Sequence, residues 1–308
     1  VSPPWEERYH FQSWRVSKGL AEIADTLANP TMCVARSVSV VAQARWAINT
    51  YSITSAPALG GAVVPASMTV EHGRDSSVQI SPSPGYRVLS LSDNGQDVSQ
   101  QLTGEALGIR SYRLRAVTAS RRLEAGFQRV FRARDTVLGG GGGISLSASS
   151  VDSGKGLVVT LTPQVGYYLS GISLNGQNVL PRVVDNRNGT FTYTVEGVGE
   201  DLVFIAAYTI RTFQLTLNSG GGNVPVCIAT DQCGATVTRT VKYGEHVEIS
   251  TVPCFGPPCG GVPCPIRFSD WNGTGGSLAN QTAVKTMVTL TNSNATYRPH
   301  YIMSGICQ

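Results

Sequence analysis

Charge is what this 308-residue chain has least of: Asp, Glu, Lys and Arg make up 14% of it, against about a quarter in ordinary globular proteins. With a net charge of only +4, nothing marks it for the phosphate backbone of a nucleic acid, and no nucleic-acid partner is expected. Long apolar runs are missing too, so no membrane-spanning helix is expected. Histidine is scarce, and His10, His72, His246 and His300 are scattered along the chain. No nucleophile, base and orienting acid fall together, so no enzyme, cofactor or metal site is expected. The glycine run at residues 139–143 has no Gly-Lys-Ser/Thr after it, which excludes a phosphate loop. Helix-like patterning is confined to residues 18–27.

Against those absences stand 34 glycines, 41% hydrophobic residues and abundant Val, Thr, Ser and Asn. Apolar residues recur at short intervals, the signature of strands and turns and not of disorder. The sequence also repeats. Residues 80–98, ISPSPGYRVLSLSDNGQDV, align without a gap with residues 161–179, LTPQVGYYLSGISLNGQNV, at an offset of 81. The same offset pairs Val70 with Val151, Gly73 with Gly154, Val117 with Val198 and Phe127 with Tyr208. Such a period means one supersecondary unit used several times.

Each copy has one grammar: an opening strand, a glycine cluster, a turn before Gly73, Gly154 or Gly244, and a strand ending in proline. A Gly-Tyr corner follows, then an Asn-Gly hairpin at Asn94-Gly95 and Asn175-Gly176, then two alternating strands. Six or seven short strands in about 80 residues predict a β-sandwich. The expected class is all-β, built of tandem small immunoglobulin-like β-sandwich domains. Residues 1–48 read as the C-terminal half of a truncated repeat, residues 49–129 and 130–210 as complete repeats, and residues 211–308 as a repeat with a cysteine-rich insertion. Because the sequence opens with Val inside a repeat, the expectation is an internal or processed stretch of a longer chain. Alternatively, another chain completes the first repeat by strand addition.

Thr162-Pro163 with Gly166-Tyr167, Phe268-Ser269-Asp270-Trp271-Asn272-Gly273, and Tyr9-His10-Phe11-Gln12-Ser13-Trp14 carry a family resemblance. The pattern resembles the divergent InlB B-repeat type, also called bacterial repeat domains, over nearly the whole chain. The resemblance implies small β-sandwiches strung in series on a surface or secreted protein. It brings no shared catalytic residues.

Six of the seven cysteines, Cys227, Cys233, Cys254, Cys259, Cys264 and Cys307, lie in the last repeat. An even set in a Gly/Pro-rich β-domain reads as disulfides, with Cys227 and Cys233 pairing across their own loop. The competing reading is a metal site at Cys254, Cys259 and Cys264, whose Cys-x4-Cys spacings lie at the wide end of zinc knuckles, but no His is near. Bridges imply an oxidising compartment, hence an extracellular or cell-surface location. Cys33 is the odd one. Asn188, Asn272, Asn280 and Asn294 each begin a glycosylation sequon, with ordinary turn sequence as the alternative. Arg110, Arg113, Arg115, Arg121, Arg122, Arg129, Arg132 and Arg134 could form a basic stripe for an anionic polysaccharide or a neighbouring subunit, or simply a solvated face. Trp14, Trp271 and Tyr167 follow the Gly-Tyr corner, where core packing competes with a sugar-stacking platform. The expected function is an extracellular structural one: a subunit or stalk segment of a filament, sheath or appendage. Self-association or neighbouring surface proteins would be its partners. The rival is an adhesin or carbohydrate-binding accessory module.

Overall fold

Period-two alternation is the physical origin of almost every element. In Leu157–Pro163, Leu157, Val159 and Leu161 are at most 1% exposed, while Val158 between them is 41% exposed. Successive side chains of a strand point to opposite faces, so such a segment buries one face only and needs a second sheet to cover it. The computed structural model describes residues 7–220, 224–255 and 266–303. Among these, the only helical turns are two three-residue 3-10 turns, Ser99–Gln101 and Leu180–Arg182. No helix is long and apolar enough to cross a membrane. The chain is all-β.

By its contacts the chain divides into two compact units. The first holds residues up to Arg132 with Ser150–Lys155 and Gly197–Glu200. The second holds Ala133–Ser149, Gly156–Glu196 and what is described from Asp201 onward.

In the first unit, Tyr9–Lys18 pairs antiparallel with Val41–Ile48, and Phe11 packs on Trp14 and Trp46 with ring centroids 5.5 and 5.7 Å apart. Residues 18–27, the one stretch whose pattern allowed a helix, do not form one. Gly19 takes φ +83°, and Ala21–Ile23 is a strand paired with Cys33–Ala35. No apolar layer is available to receive a helical stripe: Leu20 and Leu27 are 69% and 71% exposed. The polar residues beyond favour a turn, the Leu27 amide donating to Asp25 Oδ1 at 2.8 Å and the Asp25 amide to Thr31 Oγ1.

The complete repeat that follows has two sheets. One orders Gly61–Val64, Ser76–Pro82, Arg110–Leu114 and Thr103–Gly104. The other joins Gln96–Asp97, Tyr86–Asp93, the start of Arg121–Leu138, Thr50–Ser55 and Ser67–Glu71. Between them lies a core of Ile53, Val63, Val78, Ile80, Val88, Leu91, Tyr112, Leu114 and Leu123. Asn94 and Gly95 sit at φ 50° and 82°. Two consecutive positive φ values match the twist of a two-residue hairpin, which is why Asn-Gly stands there.

The second unit repeats this arrangement. Gly142–Leu146, Leu157–Pro163, Phe191–Val195 and Val184–Asp185 form one sheet, and Leu202–Ile210 pairs with Tyr167–Leu174 in another. In the last repeat Thr236–Lys242, Thr212–Asn218, Ala295–Met303, Ile266–Thr274 and Cys254–Phe255 lie side by side. Gln232–Gly234, Val226–Ile228, His246–Thr251, Lys285–Thr289 and Ser277–Leu278 form the facing sheet. Trp271 fills that core at 0% exposure, its indole N–H donating to Ala283 O at 3.0 Å.

One pairing recurs in every complete repeat: the opening strand lies parallel to the closing strand. Ile53 pairs with Arg121, Ala133 with Leu202, and Leu215 with Ala295. Parallel neighbours run in the same direction, so the chain leaves each repeat at the end opposite to where it came in.

Candidate functional site

Three core-facing positions of the first complete repeat carry polar groups. Tyr86–Asp93 turns its last residue inward ahead of the Asn94-Gly95 hairpin, so Asp93 is 5% exposed. Arg110–Leu114 of the facing sheet turns Tyr112 inward at 5% exposure. Arg121 opens the closing strand. Its guanidinium donates to Asp93 Oδ2 at 2.7 Å, and the Tyr112 hydroxyl donates to the same oxygen at 3.0 Å. Asp93 Oδ1 is buried with no hydrogen-bond partner among the described residues. Burial, and then the bond to Asp93, pushes the Tyr112 hydroxyl above the usual phenol range.

A cavity of about 290 Å³ opens over this trio, lined also by Gln96, Asp97, Val98, Gln101, Arg113 and Arg115. A second, of about 470 Å³, shares Gln101, Tyr112 and Arg113 with it and is walled by Asp75, Ser76, Ser77, Thr103 and Ser111. Arg113 donates to Asp75 at 2.9 Å, and Asp75 also accepts the Ala116 amide at 2.8 Å. The Ala116 amide first, and Arg113 next, hold the Asp75 carboxyl below the ordinary range. Asp97 is likewise lowered, by the Ser99 hydroxyl and amide. Arg115 is exposed and makes no ion pair among the described residues. The cleft is thus a polar depression in which three guanidinium groups meet the carboxylates of Asp75 and Asp97 at the rim and the buried carboxylate of Asp93 at the floor.

The remaining arginines of the run go elsewhere. Arg110 donates to Leu102 O, Arg122 pairs with Glu124 at 3.0 Å, and Arg129 lies 4.9 Å from the Phe131 ring centroid. Arg132 and Arg134 are exposed. Three of the eight, Arg113, Arg115 and Arg121, therefore meet in one place. Asp93 and Tyr112 were not singled out by sequence reasoning. The signal was in the repeat: at the offset of 81, Asp93 stands opposite Leu174 and Arg121 opposite Leu202.

Cys227 is bridged to Cys233 across its hairpin, with Cα atoms 4.1 Å apart, and Cys254 is also disulfide-bonded. Cys33 is free and exposed. The expectations for Cys259, Cys264 and Cys307 lie outside the described residues. Asn188, Asn272, Asn280 and Asn294 are all exposed. Trp271 is core, Trp14 is half-buried with its indole donating to Ala28 O at 3.2 Å, and Tyr167 is half-buried. Phe268–Trp271–Tyr301 in the last repeat reproduces Phe11–Trp14–Trp46, with centroid distances of 5.8 and 5.9 Å.

The seams between copies are equally specific. In the second unit a single residue, Arg211, separates Leu202–Ile210 from Thr212–Asn218. Its amide donates to Gly166 O at 2.7 Å and its carbonyl accepts the Tyr243 amide at 2.8 Å. In the first unit Asn49 plays this part. Its amide and side chain donate to Arg8 O and Glu7 O, and it accepts from the His72 amide and His10 Nδ1.

No family model matches this chain, and no curated protein matches it. Among solved structures it is similar to the Bacillus anthracis TIE protein, with 7% identity over 91% of this chain and a TM-score of 0.28, a likeness too low to carry an argument. The chain spans 57% of that protein's solved chain.

Proposed function

We propose that this protein is a structural segment of an extracellular array, in which immunoglobulin-like sandwiches of the InlB B-repeat type carry load in series and no reaction is catalysed. The parallel pairing of opening and closing strands supports this reading above all. Each repeat passes the chain from one of its ends to the other, which is what serial extension needs. Tension on the ends of such a repeat loads the hydrogen bonds between its first and last strands together, in shear, and does not unzip them singly. At the third repeat that ladder runs over six residue pairs, Ala133↔Leu202 to Leu138↔Ala207. The bridged cysteines support an oxidising, extracellular setting.

Pulling the whole chain by its ends in a force spectrometer tests the proposal. The expected trace has separate force peaks, each releasing about 80 residues, or roughly 3.3–3.6 Å per residue. A smooth extension at low force, with no peak for the complete repeats, contradicts a load-bearing role.

A further inference from the structure

The first complete repeat departs from the next at one corner in a way that folding does not explain. Strand pairing sets the correspondence: Leu123 lies opposite Asp93, as Phe204 lies opposite Leu174. In the same frame Arg121 corresponds to Leu202, Arg113 to Thr194 and Arg115 to Glu196, while Tyr112 and Tyr193 are alike. One copy therefore carries the half-buried Leu174 and the buried Leu202 at this corner, and the other carries an ion pair whose Asp93 end is buried. Replacing packed apolar side chains by a buried ion pair is at best neutral for stability, because desolvation offsets the attraction. Here the exchange also leaves Asp93 Oδ1 buried without a partner, a feature that asks for a reason other than folding.

We propose that this corner binds a short acidic oligosaccharide, with its carboxylate or sulfate on the guanidinium groups of Arg115 and Arg121 and its hydroxyls in the adjoining lobe. Arg121 spends one donor on Asp93, which holds the fork still, and a guanidinium has five N–H donors in fixed geometry. Arg115 is exposed and lies in the field of Asp75, whose carboxyl Arg113 already engages at 2.9 Å, so its guanidinium donors stay open to a ligand. The second lobe presents the hydroxyls of Ser77, Thr103 and Ser111 beside the Gln101 amide, a donor-and-acceptor wall suited to a polyol. The two cavities, about 290 and 470 Å³, meet at Gln101, Tyr112 and Arg113, so the site takes linked rings. Its aromatic, Tyr112, is buried and offers no stacking face. Recognition then rests on charge and hydrogen bonds, and affinity must fall steeply with salt.

The test is titration of the full chain with trigalacturonate, with a sulfated trisaccharide as a second acidic probe, maltotriose as the neutral one and hexaglutamate as the peptide one. Binding of either acidic sugar is expected, with amide shifts confined to residues around the cleft and none at the matching positions near Leu174 and Leu202. Arg115→Gln should weaken it at least about tenfold, the scale of one lost charge-assisted contact, while Arg134→Gln, an exposed arginine outside the cleft, should leave it unchanged. No binding of either acidic sugar overturns the proposal. So does equal binding of hexaglutamate or maltotriose, or an equal loss in both variants. None of these outcomes bears on the force-spectroscopy result, so the site and the structural role fail separately.

Discussion

Arg121→Leu and Asp93→Leu, made singly and together, put the ion pair of the first complete repeat to a thermodynamic test. The Asp93 side chain is 3% exposed and that of Arg121 is 31% exposed. Removing Arg121 alone strands the carboxylate in the core with only the Tyr112 hydroxyl as donor, a loss of about 3–5 kcal/mol. Partial hydration at the Arg121 end places the expected value near the lower limit, about 3 kcal/mol. The double variant installs the leucines that the next repeat carries at Leu174 and Leu202, which returns about 1–4 kcal/mol relative to a buried pair. It also takes the acceptor from Tyr112, at a cost of about 1–3 kcal/mol, so the net change should lie near zero. Adding Tyr112→Phe removes that cost and should leave the repeat more stable than the parent. Tryptophan fluorescence is blind here, because the four tryptophans, Trp5, Trp14, Trp46 and Trp271, all lie outside residues 49–210. Native-state hydrogen exchange on the amides of Tyr86–Asp93 reads the repeat directly. The expected acceleration is about 100-fold for Arg121→Leu, at a factor of ten for every ~1.4 kcal/mol, and little for the double variant. If the double variant exchanges as fast as the two single losses added together, the pair is not coupled and the account of this corner is wrong.

Three further outcomes follow from the seams and the cores. Gly166 has φ +84° and an added Cβ would fall 2.4 Å from the Tyr243 ring, so Gly166→Ala should destabilise the second unit by at least ~1–2 kcal/mol. Exchange at the Arg211 and Tyr243 amides checks this, and unchanged protection there counts against a clamped seam. Asp152 accepts two hydrogen bonds from Arg87, at 2.7 and 2.6 Å, which hold its carboxyl below the ordinary range. Because the folded value is lowered, the stabilisation, about 1 kcal/mol, is complete above the unfolded value near ~4 and is lost as pH falls through the folded one. The gap in melting temperature between the parent and Asp152→Asn should therefore shrink between about pH 5 and pH 2. Trp271→Ala should cost about 3–5 kcal/mol. Calorimetry should show the transition of the last repeat lost, while exchange within residues 49–129 stays as it was.

Much of the architecture was legible because β-structure writes its rules locally. Alternating strands were expected, and the fold buries Val78 and Ile80, or Leu157, Val159 and Leu161, on one face of theirs; Asn94-Gly95 marked a hairpin, since few other residues accept two positive φ values in a row. The bridge between Cys227 and Cys233 closes a short loop and could be proposed from spacing alone. Residues 18–27 had a pattern that allowed a helix, but helical periodicity is only a promise of burial: with no apolar layer to meet it, strand pairing satisfied the backbone instead. The cleft was half legible. The run of arginines was conspicuous, yet Asp93 looked like one polar residue in a turn-rich stretch.

By itself, then, the order of residues determined that this protein is all-β, that one unit of about 80 residues recurs, and where its turns fall, because those features depend on neighbours a few positions apart. Tertiary structure alone decided that opening and closing strands lie parallel, and that Asp93, Tyr112 and Arg121 converge while Arg122, Arg129 and Arg134 do not. The reason is distance along the chain. Arg121 meets Ile53 and Asp93 only once two sheets have closed on a shared core, and no local pattern encodes which of two faces an arginine will find when they do.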